Sequence, residues 1–165
     1  MSDAAATIPP VLVSVGSVDG NRIGVCFNEP VDPQTAAEIF AYDVNDFTVP
    51  LEQVEMRPDG RSVQITLQYA ISGSFTVKVT DVYDLSGNPI APGSTASGTV
   101  AEMTPTDLIF PSQTGATFSC NDGDFDLTAG GEDIWDTSDQ GHVSLKPVFE
   151  ERAALWFDQG CSAAA

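Results

Sequence analysis

The stretch Asp122-Gly123-Asp124-Phe125-Asp126 sets carboxylates at every second position. Calcium takes hard oxygen ligands of this kind, and Asp133, Asp136 and Asp139 stand close enough in sequence to add to the shell. The segment is not an EF-hand loop, because Leu127 stands where that loop needs its turn glycine. Alternating acids also make the solvated face of a strand, and with Phe125 and Leu127 turned inward every one of them would point to water. Calcium held by Asp122, Asp124, Asp126, Asp133, Asp136 and Asp139 is one expectation for this stretch, and a solvated strand is the other.

Other residue sets carry the same two kinds of reading. Asp81, Asp84 and Asn88 could converge on an ion, but Asp and Asn at such positions ordinarily bond to nearby N–H groups and fix a turn. His142 is the sole histidine. A serine or cysteine triad would need it beside a nucleophile and an orienting acid, and no Gly-x-Ser-x-Gly elbow is present. Zinc is disfavoured, since Cys26, Cys120 and Cys161 are scattered and form no Cys-x-x-Cys pair. Nothing singles out two carboxylates for glycoside hydrolysis. The sequence therefore offers no catalytic constellation and reads as non-enzymatic. Trp135 and Trp156 are the candidate ligand-binding residues, because indole faces stack on sugar rings. Their alternative role is to anchor a small core.

The elements that must carry these residues are strands. Val11, Val13 and Val15 alternate with Leu12, Ser14 and Gly16, and Asp19-Gly20-Asn21 turns the chain into Arg22–Phe27. There Ile23, Val25 and Phe27 share one face, which leaves Cys26 on the opposite face with Arg22, Gly24 and Asn28. Glu29-Pro30-Val31-Asp32-Pro33 interrupts the sheet, and Asp32 is placed to cap one or two helical turns across 35–41. Strands are expected over 48–56, 61–67, 74–80 and 97–102, with Pro58-Asp59-Gly60 and Asp84–Pro89 as turns. Val25, Phe27, Val63, Ile65, Phe75, Val77 and Val79 should be buried together. Short strands at this spacing make a β-sandwich.

Several pieces of this region match a known pattern in order and spacing. They are Val25-Cys26-Phe27-Asn28-Glu29-Pro30-Val31-Asp32, Thr35-Ala36, Tyr42-Asp43-Val44 and Val82-Tyr83-Asp84-Leu85-Ser86-Gly87-Asn88-Pro89-Ile90. On these residues 10–102 resemble a bacterial immunoglobulin-like (Ig-like) domain of the type repeated in S-layer proteins, adhesins and secreted hydrolases. Asn28 stands where that family usually has a hydroxyl residue. The resemblance implies an Ig-like antiparallel β-sandwich that serves as a spacer, structural or adhesion module and carries no active site. Gly130-Gly131, Asp133-Ile134-Trp135, Thr137 and Asp139 make 106–146 resemble the opening of a concanavalin-like jelly-roll domain. The expected organisation is all-β: a tail over 1–9, the sandwich over 10–102, a linker over 103–107, and over 108–165 a short second β module, a truncated or much reduced jelly roll.

Charge and cysteine usage bound the setting. A formal charge of −18 repels phosphate backbones and anionic membranes, which excludes nucleic acid as a partner. No apolar run approaches the roughly 20 residues that span a bilayer. The first residues lack the features of a secretory signal, so the chain is either cytosolic or begins after a removed leader. The resemblance favours an extracellular or cell-surface location, with other domains or surface proteins as partners. The rival function is a carbohydrate-binding accessory of a secreted glycoside-degrading enzyme. Cys120 and Cys161 fall in the same short module and are the expected disulfide, with Cys26 free; three reduced thiols are the alternative.

Overall fold

The computed structural model describes residues 8–108, 115–121, 123–128 and 141–145. Strands β1 (Leu12–Gly16) and β2 (Arg22–Phe27) form the first hairpin. The Asp19 carboxylate holds the turn by accepting from the Asn21 and Arg22 N–H groups at 2.9 and 3.2 Å. Asp32 caps α1 (Pro33–Ala36) by accepting from the Gln34 N–H at 2.9 Å, and Pro33 supplies a helical φ at the first position. A 3-10 turn over Ile39–Ala41 leads into β3 (Tyr42–Val44). The Tyr42 hydroxyl donates back to the Ala36 carbonyl at 2.8 Å, and burial pushes its phenol well above the usual tyrosine range. Then come β4 (Leu51–Met56), β5 (Ser62–Leu67), β6 (Ser74–Val79) and β7 (Ser94–Thr99).

These strands build two antiparallel sheets, in the orders β1-β2-β5-β4 and β3-β6-β7. Ile23, Val25, Phe27, Val63 and Ile65 from the first sheet meet Tyr42, Val44, Phe75, Val77 and Val79 from the second. The core expected from period-2 alternation is the core found, because half-buried strands expose every other residue to the opposing sheet.

Local departures have local causes. In β1 a bulge between Leu12 and Ser14 breaks the simple alternation, so Leu12 and Val15 are buried while Val11 and Val13 are exposed. The strand expected from residue 48 starts at Leu51, because Asn45, Asp46 and Phe47 all take left-handed backbone with φ of 52°, 53° and 59°. That turn is held from both sides: Asp43 accepts from the Phe47 N–H within it, and Asn45 accepts from the Thr76 N–H of β6 at 2.8 Å. Residues 103–107, read as a linker, include most of strand β8 (Thr104–Leu108).

The chain divides into two compact units. One takes the described residues up to Ala101 and adds Phe118–Asp126; the other takes the described residues of Glu102–Thr117 and of Leu127–Ala165. In the second, β8 pairs antiparallel with β11 (Gly141–Leu145), from Leu108 opposite Gly141 to Thr104 opposite Leu145. Short strands β9 (Ala116–Phe118) and β10 (Asp126–Thr128) pair with each other, each with residues in both units.

Candidate functional site

The first unit has an unusual outer face. In β1 and β2 the residues Gly16 and Gly24 stand opposite each other in register. Two facing glycines leave a trough where other strands present side chains, and glycine inside a strand marks a close backbone approach. Segment 118–121 lies in that trough. A Cβ at Gly24 would overlap the Ser119 carbonyl oxygen and sit 2.7 Å from the Phe118 ring. A Cβ at Gly16 would sit 2.6 Å from the Asn121 nitrogen. No side chain larger than hydrogen fits at either position without displacing backbone.

The segment is fastened at several points. Phe118 and Ser119 are buried. The Arg57 guanidinium lies over the Phe118 ring, 3.6 Å from its centroid, in the geometry of a cation–π contact. The Ser119 hydroxyl donates to the Asn121 carbonyl at 2.6 Å. Cys120 is bonded to Cys26, with Cα atoms 5.8 Å apart and a sequence separation of 94. The expected Cys120–Cys161 pair with a free Cys26 is thus corrected. The strap lays Cys120 on the outer face of β2, directly where Cys26 projects, and Cys161 lies outside the described residues. Nearness in sequence was a poor guide, because 118–126 belongs with the sandwich and not with the residues on either side of it.

Of the expected calcium ligands, Asp124 and Asp126 are described, and each has a different use. The Asp124 carboxylate accepts from the Asn121 side-chain amide at 3.0 Å, and the Asp124 N–H donates back to the Asn121 side chain at the same distance. Asp126, itself exposed, faces the half-buried Arg57 at 3.8 Å in an ion pair. Asp122, Asp133, Asp136 and Asp139 lie outside the described residues, as do Trp135 and Trp156. Among the described residues no group of three or more His, Cys, Asp or Glu is arranged to hold a metal ion.

Other acids serve their own turns. Buried Asp84 accepts from the Ser86 and Asn88 N–H groups, both at 2.8 Å, and from the Asn88 amide at 2.7 Å. The Asn88 amide, ahead of those N–H groups, holds the carboxyl below the usual carboxylate range. Desolvation pushes Asp59 up. The Ser62 hydroxyl, the Arg61 and Ser62 N–H groups and the nearby Arg57 charge outweigh it, leaving the group below its ordinary value. Asn28 likewise closes the sheet end, accepting from the Val11 N–H at 2.6 Å.

Comparison with known proteins gives a structural likeness. No protein-family model matches the chain, and no curated protein matches it. Among solved structures it is similar to the N-terminal part of the bacterial S-layer protein SbsC, at 17% identity and a TM-score of 0.54 over 93% of this chain. It is similar to surface layer protein SbsC, domains 1-6, at the same identity and TM-score over 94% of this chain. The likeness is one of fold. The chain spans 42% of the first of those structures and 24% of the second. Among the described residues no helix is long and apolar enough to cross a membrane.

Proposed function

We propose that this chain is a non-catalytic structural module of a bacterial cell-surface protein, and that its sandwich is of the Ig-like type. The observation that carries the reading is how its polar groups are used. Asp19, Asp32, Asp43, Asp59 and Asp84 each accept from N–H groups of their own turn or helix start. They rigidify the fold rather than converge on a shared site. The strand orders β1-β2-β5-β4 and β3-β6-β7 support the Ig-like assignment, since they are those of a constant-type immunoglobulin sandwich. A disulfide suits an oxidising compartment, and the likeness to S-layer domains points the same way. Its partners on this reading are neighbouring domains or other surface proteins.

The test is labelling of intact bacterial cells that make the protein, using a membrane-impermeant amine reagent. The protein should be labelled as heavily on intact cells as after lysis. Labelling that appears only after lysis overturns the reading.

A further inference from the structure

A structural module held in series between neighbours transmits tension along its own chain, and the covalent path of that tension is set by the Cys26–Cys120 bond. Residues 27–119 lie inside the loop it closes. Strands β3 to β9, and with them one whole sheet of the sandwich, are therefore bridged by a single covalent link. On the amino-terminal side, Ser14 of β1 stands in register beside Cys26 itself. On the other side, Cys120 continues through the strap to Asp126, against Arg57.

We infer that the disulfide is a mechanical bypass: under load it carries tension from β2 straight to the strap, so that the core enclosed by the loop cannot be drawn out. In the oxidised protein only the chain outside the loop can lengthen, and within the sandwich that is the β1–β2 hairpin. The core residues inside the loop, among them Val63, Ile65, Phe75, Val77 and Val79, are taken off the extension path, whereas Leu12, Val15, Ile23 and Val25 stay on it. This inference rests on the proposed structural role for its biological use, but the bypass itself follows from which sulfurs are joined and where they sit.

Single-molecule force spectroscopy on the full chain, attached through peptide tags at both ends, reads this out directly. Dithiothreitol, itself oxidised to its cyclic disulfide, returns both sulfurs to thiols. The contour length gained on unfolding should then rise by about 31–34 nm, the extended length of the 94-residue separation. The variant Cys26→Ser should give the long value with or without reductant. Equal lengths in the two states overturn the bypass. So does a rise of only about 14 nm, which is what a loop of about 40 residues from Cys120 to Cys161 would release. The unfolding force, measured in the same traces, speaks to the other reading. A module that yields at a few piconewtons in both states does not serve as a tension-carrying element, even where the length difference holds.

Discussion

The two faces of the β1-β2-β5-β4 sheet are covered by different means. The inner face is built from volume: Ile23, Val25, Phe27, Val63 and Ile65 are all buried against the second sheet. The outer face is built from the absence of side chains, with Gly16 and Gly24 opening a trough that 118–121 fills. One face gains its stability by removing apolar area from water. The other gains it from a close backbone fit, one stacked Arg57–Phe118 pair and a covalent bond. A methylene lost inside leaves a cavity, whereas a methyl added outside collides with backbone. The same sheet therefore tolerates opposite kinds of change on its two sides.

The largest effect should come from the inner side. Replacing Phe75, which is 2% exposed, with Ala should cost about 3–5 kcal/mol through lost transfer energy and an unfilled cavity. Chemical denaturation measures it, and a loss below about 1 kcal/mol would mean that the core is not held by volume. A smaller effect of opposite origin is expected from Gly24→Ala, about 1–3 kcal/mol by overpacking. Its signature is local. Amide hydrogen exchange should quicken at Phe118–Cys120 while Val25 and Ile65 keep their protection. Uniform loss across both faces would erase the distinction drawn between them.

Acid should have the smallest effect and touch neither face directly. Asp59 and Asp84 have folded pKa values below those of the unfolded chain, so their stabilisation is fully present above the ordinary Asp value of about 3.9. It is lost as pH falls through the lowered folded values. Urea midpoints should hold steady from pH 7 to about 5 and drop below pH 4, less steeply in Asp84→Asn. An unchanged slope in that variant would show that the Asp84 turn contributes nothing to the acid response.

How much of this was legible in sequence follows from the same contrast. The inner face announces itself in the alternation of Ile23, Val25 and Phe27 and of Val63, Ile65 and Leu67, because burial repeats every second residue. The turns were equally open, since Asp32 before Pro33 and Asp84 before Gly87 are local chemistry. The bulge in β1 was not, because a one-residue slip depends on how β2 pairs. The strap was hidden for a stronger reason. Its segment comes 94 residues after its anchor, in a stretch whose composition suggested a separate module. The signal was there in Gly16 and Gly24, placed inside strands where glycine is otherwise a poor choice. What it lacked was any local mark of the partner.

One feature of the sandwich bears on crowding. Unpaired strand edges recruit other chains, and a two-sheet sandwich has four of them. Here β1 and β7 close on each other: Ser17 and Val100 form a parallel bridge, and the Ala101 N–H donates to the Ser17 carbonyl at 2.9 Å. The β3 edge is only three residues long. The β4 edge exposes Glu52, Gln53 and Glu55, so a second copy approaching it meets like charge. Where copies crowd together, this sandwich has little backbone left with which to pair with its neighbours.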